Sequence, residues 1–161
     1  MKYCIYKHTF PDGKVYIGQT VSGRQEMRWS NGNGYKVQKK VYDAISLYGW
    51  ENISHEILAD DLTKNRANLL EQLYIVAYQS VRNGYNVKGP GKRIKQIGNV
   101  GNYIKAAAVW NGKSIKDVAS QMGIAEDTLY RKLQGVRRLS VADLIAAEKA
   151  VAWTKYLEVM Q

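Results

Sequence analysis

The chain has 161 residues, 45% of them apolar, and its 24 Lys and Arg residues against 14 Asp and Glu give a formal net charge of +10 at pH 7. This composition excludes disorder over most of the length and predicts a basic globular protein that seeks a polyanionic partner. A single cysteine, Cys4, and two histidines exclude an internal disulfide and a Cys/His zinc site. The sequence predicts neither a membrane span nor a secretory leader, so we expect a cytoplasmic protein without a membrane partner.

The first half of the chain, residues 1–89, predicts a small α+β domain. Residues 3–7 and 15–18 flank a Pro-Asp-Gly-Lys turn, which is typical of a β-hairpin. Thr63 is expected to be the N-cap of a helix whose apolar face is wide enough to pack against a core. Between the hairpin and this helix we predict, in chain order, a short helix over 24–29, a loop over 31–34, a helix that ends at Gly49 and a third strand over 52–58. The expected layout is a central antiparallel three-stranded sheet flanked by helices.

One acidic residue of the last helix has apolar surroundings. Glu71 has Ala67 and Ile75 one helical turn away, and Tyr74 and Tyr78 lie on the same side. Such a carboxylate is either paired with a nearby base or bound to a hard cation such as Mg²⁺. The spacing leaves both alternatives open.

A basic segment separates the two halves of the chain. Residues 88–105 contain five basic side chains and no acidic one, together with a Pro-Gly pair. We interpret residues 90–104 as a linker. A basic linker is usually only solvated, but between two modules that touch nucleic acid it would follow the phosphates, through Lys92, Arg93 and Lys95.

The second half, residues 105–161, predicts an all-α domain. A helix from the N-cap Ser114 stops at Gly123, and a second helix follows over residues 125–134. This pattern indicates a helix-turn-helix, and it resembles the DNA-binding domain of phage Cro and repressor-like proteins. A helical segment over 139–157 is expected to complete the core and to expose Trp153 and Tyr156 for a dimer contact. A helical bundle without a role in DNA binding is the alternative.

If this domain binds DNA, its second helix would enter the major groove. The side chains with the best reach toward the bases are then Glu126, Asp127, Thr128, Tyr130 and Arg131, and the two acids would contribute to selectivity more than to affinity. Phosphate contacts are expected from four basic residues: Arg131, Lys132, Arg137 and Arg138.

Five elements of the first half resemble, in order, those of the GIY-YIG nucleases. The residues Cys4-Ile5-Tyr6 and Tyr16-Ile17-Gly18 face each other across the hairpin, with Cys4 where the family has a glycine. The other elements are an arginine motif at Arg28 and Trp29, a helix and turn over 44–52, a glutamate helix over 70–75 and a closing strand over 84–87. The resemblance covers about residues 3 to 91.

The resemblance implies hydrolysis of a DNA phosphodiester with one divalent metal ion. Glu71 would bind the metal, and Arg28 would stabilise the added negative charge of the transition state. Tyr6 or Tyr16 would orient or deprotonate the attacking water, which requires a neighbouring cation that lowers the tyrosine pKa from its usual value near 10. Asn86 would support the site by hydrogen bonds, or would simply cap the end of a strand.

The sequence departs from the family pattern after the arginine motif. Many members carry a histidine there, and residues 30–36 of this chain contain none. Tyr35 or Lys36 would fill that position, and the resemblance makes Tyr35 a candidate site residue with an open role. His8 and His55 are expected to be surface or core residues, although His8 follows Tyr6 closely enough on the first strand to approach the site.

Together these features predict a site-specific endonuclease of the homing type, encoded by a bacterial host or a phage. Its partner would be double-stranded DNA, its cofactor Mg²⁺ (or Mn²⁺), and the basic linker would tether the catalytic module to the binding module. The alternatives are a catalytically idle DNA-binding regulator that keeps the nuclease fold, and a restriction or repair nuclease. We expect a monomer and leave a dimer open.

Overall fold

The computed structural model describes the main chain of residues 1–88 and 100–157 and, within them, the side chains through Lys155. The chain divides into two units, residues 1–94 and 95–161. Each unit is described by itself below.

The first unit contains a three-stranded antiparallel sheet, and the predicted α+β class is confirmed for the described residues. The strands are β1 (Tyr3–Thr9), β2 (Val15–Val21) and β3 (Ser54–Leu62), in the order β2-β1-β3. The turn between β1 and β2 closes with a hydrogen bond from the Phe10 amide to the Lys14 carbonyl, 2.9 Å long. Strand β3 begins two residues later than predicted and continues to Leu62 because it pairs with the whole of β1.

The helices of the first unit follow the predicted order. They are α1 (Gln25–Trp29), α2 (Lys39–Tyr48) and α3 (Lys64–Ala77), and short 3-10 segments span Ser30–Tyr35 and Trp50–Asn52. The Thr63 side chain accepts a hydrogen bond from the Arg66 amide, which confirms Thr63 as the N-cap of α3. Residues 31–34, predicted to be a loop, form 3-10 turns that break where Asn31 and Gly32 adopt positive φ.

The core on one face of the sheet is largely aromatic. Tyr6 and His8 point to this face because they are two residues apart on β1, and Tyr16 lies opposite His8 on β2. Helix α2 covers the face with Val41, Ala44 and Ile45, which are buried. The cluster also includes Phe10, Trp29, Tyr35 and Ile53.

The outer edge of β2 is covered by residues 84–86, which are not a strand. The sequence predicted a closing strand over 84–87, but only the Tyr85 amide donates to β2, at the Val15 carbonyl (2.9 Å). The Asn86 side chain replaces the next main-chain pair: its Oδ1 accepts from the Ile17 amide at 2.9 Å, and its Nδ2 donates to the Ile17 carbonyl at 2.8 Å. An amide side chain therefore satisfies the exposed edge where a strand was expected.

The described part of the second unit is helical. Its elements are α4 (Val100–Trp110), α5 (Ile115–Met122), α6 (Glu126–Leu133), α7 (Val141–Val151) and a 3-10 segment over Trp153–Leu157. The predicted linker, residues 90–104, is therefore too long at its C-terminal end, because α4 already begins at Val100. Gly123, in the left-handed region at φ 69°, ends α5 and turns the chain into α6, as predicted.

Two capping boxes fix the starts of α5 and α7. The side chains of Ser114 and Asp117 exchange hydrogen bonds with each other's main-chain amides, and Ser140 and Asp143 do the same. The expected exposure of Trp153 is wrong: its ring is fully buried, and its Nε1 donates to the Leu144 carbonyl at 2.8 Å. Trp153 closes the core of this unit and presents no surface for a dimer contact.

Among residues 1–88 and 100–157, no helix combines the length and the apolar content that crossing a membrane would require.

We expect Asn86→Leu to lower the free energy of unfolding of the first unit by about 2–3 kcal/mol, because both main-chain groups of Ile17 lose their partner at a buried position. Urea unfolding of the full chain would measure the loss. Asn83→Ala, which removes an exposed side-chain contact to Gln79, is the control and should change stability by less than about 0.5 kcal/mol. Equal effects of the two substitutions would show that Asn86 does not hold the β2 edge.

Candidate functional site

Three tyrosines of the predicted site meet in the aromatic core beside β2. The Tyr35 hydroxyl donates to the Tyr6 hydroxyl at 3.1 Å, and the rings of Tyr16 and Tyr35 meet edge to face with centroids 5.4 Å apart. Tyr6 and Tyr35 have no exposed surface, whereas Tyr16 keeps 7% of its surface exposed and donates to Gln38 Oε1 at 2.9 Å. Of the three, Tyr16 is the one that reaches the surface.

Glycine is required opposite Tyr6. Gly18 pairs with Tyr6 across the hairpin, and a Cβ built on Gly18 would lie 2.5 Å from the Tyr6 hydroxyl oxygen and 2.9 Å from Cε1 of Tyr16. Any side chain at this position would displace the two tyrosines. The Tyr-Ile-Gly motif on β2 therefore has a packing reason for its glycine.

Arg28 on α1 is held over the aromatic core. Its guanidinium carbon lies 4.4 Å from the centroid of the Tyr35 ring, and its Nη1 donates to the Gly34 carbonyl in a short hydrogen bond. The side chain is partly exposed. A guanidinium in this position is fixed by a cation–π contact on one side and by a main-chain acceptor beside it.

The tyrosine pKa values do not follow the prediction that a cation lowers them. Burial raises the pKa of Tyr6, Tyr16 and Tyr35, and the Arg28 charge, which acts to lower all three, does not outweigh it. Glu71 acts on Tyr6 and Tyr16 in the same direction as burial. All three hydroxyls are therefore neutral at pH 7, and none is a phenolate base in this state.

Glu71 lies at the same edge of the sheet but is reached from the other face of β2. Its Oε2 accepts from Gln19 Nε2 at 2.8 Å, and the Gln19 side chain leaves β2 on the face opposite to Tyr16. Burial raises the Glu71 pKa, and the opposing effects of Gln19 and the Lys64 charge are smaller. The sequence left open whether Glu71 is paired with a nearby base or bound to a hard cation. Its described contacts include a hydrogen bond from Gln19 and no ion pair.

The oxygen atoms around Glu71 suit a hard divalent cation. Asn68 Oδ1 accepts from the same Gln19 amide at 3.0 Å, so a carboxylate oxygen and an amide oxygen from successive turns of α3 share one donor, while Gln19 Oε1 accepts from Lys64 Nζ at 3.3 Å. No group of three His, Cys, Asp or Glu side chains lies together in the described ranges. One carboxylate is nevertheless sufficient for Mg²⁺, which keeps several waters and takes further ligands from a substrate phosphate.

Asn86 is the sixth predicted site residue, and its side chain is occupied by the Ile17 main chain. Asn86 is 7% exposed and lies beside Ile17, the residue after Tyr16 on β2. Because residues 84–87 form no strand and Ile17 lies inside β2, Asn86 does not cap a strand end, and its support of the site stays a prediction.

His8 and His55 were not expected to belong to the site. His8 is fully buried, and its Nε2 lies 2.6 Å from the Tyr35 hydroxyl. His55 on β3 lies opposite His8, with 2.9 Å between their Nδ1 atoms. The alternation that predicted β1 placed His8 on the face of Tyr6, but His55 could be found only through strand pairing.

In the second unit, α6 presents the predicted DNA-binding side chains unequally. Tyr130 is 50% exposed and Arg131, Arg137 and Arg138 are exposed, whereas Thr128 is partly buried. Arg131 lies 4.0 Å from Asp127 one turn earlier. Lys92, Arg93 and Lys95 lie outside the described residues.

Lys132, which the sequence predicted to contact DNA phosphates, forms a largely buried ion pair instead. Its Nζ lies 2.5 Å from Asp143 Oδ2, and the two side chains are 15% and 11% exposed. Burial acts to raise the pKa of Asp143, but Lys132 and Ser140 outweigh it, so the pKa is lowered and the carboxylate stays ionised at pH 7. This contact joins α6 to the start of α7 and engages the ammonium group that the sequence predicted to contact phosphates.

Comparison of the chain with known proteins gave no significant match to any family model, to any curated protein or to any solved structure.

His8 makes the stability of the first unit depend on pH. Burial, and then the neighbouring His55 and Arg28 charges, lower the pKa of His8 to about 3 from its usual 6.5. Between these values the unfolded chain binds a proton that the folded chain does not, so stability falls as the pH falls from about 6.5 toward 3, by at most about 1.4 kcal/mol per pH unit.

Urea unfolding of the wild type and of His8→Gln at pH 7, 6, 5 and 4 would measure this dependence. We expect the stability difference between the two proteins to shrink as the pH falls. The partly exposed His55, replaced in His55→Gln, should change the slope less. Parallel curves for the wild type and His8→Gln would mean that His8 titrates normally in the folded protein.

Lys132 and Arg138 are expected to differ in what they contribute. Lys132→Met leaves Asp143 without its partner and should cost about 2–3 kcal/mol of unfolding free energy. Arg138→Met should leave stability unchanged, weaken DNA retardation on gels and reduce the slope of log affinity against log salt by about one. Weaker DNA retardation with Lys132→Met and lower stability with Arg138→Met would support the original prediction that Lys132 contacts DNA.

Proposed function

We propose that the chain is an endonuclease that hydrolyses DNA phosphodiester bonds with one divalent metal ion. The observation that carries this proposal is the position of Arg28 and Glu71 relative to Tyr16 on β2. Arg28 lies on the Tyr35 ring, which contacts Tyr16, and Glu71 accepts from Gln19, three residues after Tyr16 and on the opposite face of the strand. The Arg28 charge acts to lower the Tyr16 pKa and the Glu71 charge acts to raise it. A phosphodiester needs a cation for its added charge, an oxygen ligand for a metal and a polar group for the attacking water.

Arg28 is the group that stabilises the developing negative charge. Its guanidinium is already fixed by the Tyr35 ring and the Gly34 carbonyl. A donor that is already in place needs little rearrangement when negative charge builds up on the phosphate. The planar guanidinium also matches two phosphate oxygens at once, which an ammonium does not.

Tyr16 is the better candidate to contact the attacking water. Its hydroxyl donates to Gln38, so the oxygen keeps lone pairs that can accept a hydrogen bond from water. Because burial keeps the hydroxyl neutral, Tyr16 would orient the water rather than remove its proton as a phenolate. Tyr6 lies behind Tyr16 without exposed surface and supports it.

Glu71 is the residue that would hold Mg²⁺ (or Mn²⁺), with the amide oxygen of Asn68 beside it. The bound ion would neutralise charge on the scissile phosphate and on the leaving 3′ oxygen. The raised Glu71 pKa reflects a partly desolvated carboxylate, which is a stronger electrostatic ligand than a fully hydrated one.

The second unit would deliver the catalytic unit to its site. Exposed Tyr130, Arg131, Arg137 and Arg138 follow one another on α6 and the segment after it. Tethering two DNA-binding modules raises the local concentration of DNA at the weaker one. The proposed enzyme is therefore of the homing type, with specificity carried largely by the helical unit.

A DNA-binding regulator without catalytic activity is the second candidate. The neutral, buried tyrosines and the single carboxylate at the β2 edge favour it, because an idle protein needs neither a base nor a complete metal shell. The exposed Arg131, Arg137 and Arg138 of the second unit suit both candidates.

The test is cleavage of supercoiled plasmid and of a genomic fragment library, with and without Mg²⁺ or Mn²⁺, followed by sequencing of the ends. We expect discrete ends with the wild type and a rate at least about 100-fold lower with Glu71→Gln. Glu51→Gln, which alters an exposed carboxylate of the same unit, is the matched control and should cut normally.

DNA that stays intact under all conditions but is retarded on a gel would favour the regulator. Normal cleavage by Glu71→Gln would overturn the metal-ligand role of Glu71. Ends scattered over many sequences would argue against the homing type.

A further inference from the structure

A chain of four polar groups crosses the aromatic core of the first unit. Tyr35 donates to Tyr6 at 3.1 Å, His8 Nε2 lies 2.6 Å from the Tyr35 hydroxyl, and His55 Nδ1 lies 2.9 Å from His8 Nδ1. Three of these four residues have no exposed surface, and only His55 is partly exposed. Burying so many polar groups is costly unless each finds a partner.

One continuous run of hydrogen bonds is consistent with both imidazoles neutral. With its hydroxyl hydrogen given to Tyr6, Tyr35 accepts from Nε2–H of His8. His8 then carries no hydrogen on Nδ1, and this atom accepts from Nδ1–H of His55. In this arrangement every hydrogen bond points from β3 toward Tyr6.

The His8 ring is clamped on its other sides. Trp29 and Trp50 meet it edge to face, with centroids 5.2 and 5.1 Å away, and Trp50 stacks on His55 at 4.1 Å. His8 therefore has little freedom to turn, and the hydrogen bond that it gives to Tyr35 has a fixed direction.

Tyr35 connects His8 with the partly exposed Arg28. The face of its ring lies under the Arg28 guanidinium at 4.4 Å, and the ring meets Tyr16 edge to face. A swing of the Tyr35 side chain about χ1 would move the ring away from Arg28. The hydroxyl at the far end of the ring travels furthest in such a swing, so its hydrogen bonds to His8 and Tyr6 oppose it.

We propose that His8 is a positioning residue of the catalytic site, which acts through its hydrogen bond to Tyr35 to hold Arg28 in place, with His55 fixing the tautomer of His8. The catalytic part of this inference rests on the proposed function, since it assigns Arg28 to the reaction. The positioning itself does not, because it is a property of the free protein.

The direct test is the NMR spectrum of the free, full-length chain. Side-chain protons of Arg28 above the Tyr35 ring experience a ring-current shift to high field. We expect His8→Leu to abolish this shift and His8→Gln to retain it, because the glutamine amide can both donate to Tyr35 and accept from His55. The nitrogen-15 shifts of the wild type should show the Nε2–H tautomer for His8 and the Nδ1–H tautomer for His55.

Phe10→Leu is the matched control for loss of core packing. Phe10 is buried in the same cluster and contacts Tyr48 and Tyr85 but not Arg28. It should lower stability and leave the Arg28 shift unchanged. An Arg28 shift that survives in His8→Leu, or that disappears equally in Phe10→Leu, would overturn the proposal.

Cleavage kinetics give the second readout. At a temperature where all variants are folded, His8→Leu should lower kcat by about 10- to 100-fold with little change in KM. His8→Gln should come within a few-fold of the wild type, and Phe10→Leu should cut normally. Equal loss of kcat in His8→Leu and Phe10→Leu would reduce His8 to a packing residue.

The two tests separate the failure of this inference from failure of the proposed function. If the wild type does not cut DNA, the proposed nuclease function fails, and the Arg28 shift still decides whether His8 holds Arg28. If the wild type cuts and the shift is insensitive to His8, the positioning inference fails alone.

Discussion

The need to satisfy hydroxyl and imidazole groups without water shapes the first unit around its aromatic core. Tyr6, Tyr35 and His8 are completely buried, and each is stabilised only because its neighbour supplies the complementary donor or acceptor. Such a network tolerates few alternative arrangements, since one rotated group leaves another unsatisfied. The network is rigid because each buried group depends on its neighbour for a hydrogen bond. Arg28 lies on the ring of Tyr35, which belongs to this network.

The edge of β2 is the second constraint. An exposed strand edge invites pairing with another chain, and here the main chain of Ile17 is paired by the amide of Asn86 and that of Val15 by Tyr85. Further along the same strand, the Gln19 side chain donates to Glu71 of α3. The groups that protect the edge are therefore neighbours of the groups proposed to act on DNA, which explains why Asn86 can belong to the site without contacting a substrate.

Charge is divided differently in the two units. In the first, the cation of the site is a single guanidinium held by an aromatic ring, and the nearby carboxylate is reached from the opposite face of β2. In the second, Lys132 is withdrawn into a buried pair with Asp143, and Arg131, Arg137 and Arg138 remain exposed. An exposed arginine row suits a diffuse polyanion, whereas a single fixed guanidinium suits one phosphate.

Local patterns in the sequence determined the hairpin, the caps at Thr63 and Ser114, the turn at Gly123 and the face of β1 that carries Tyr6 and His8. These features depend on residues a few positions apart, so periodicity and capping chemistry suffice to find them. Only the tertiary structure decided that residues 84–86 cover β2 through a side chain, that Trp153 is buried and that Lys132 pairs with Asp143.

The candidate site shows the same division. The sequence predicted Tyr6, Tyr16, Arg28, Tyr35 and Glu71 as candidate site residues, but not the neutral state of the tyrosines, because this depends on how much water the folded core excludes. Nor did it connect His8 with His55, which lie 47 positions apart and meet only because β1 pairs with β3. Composition and spacing describe each element separately, whereas burial and long-range pairing arise only when the elements pack together.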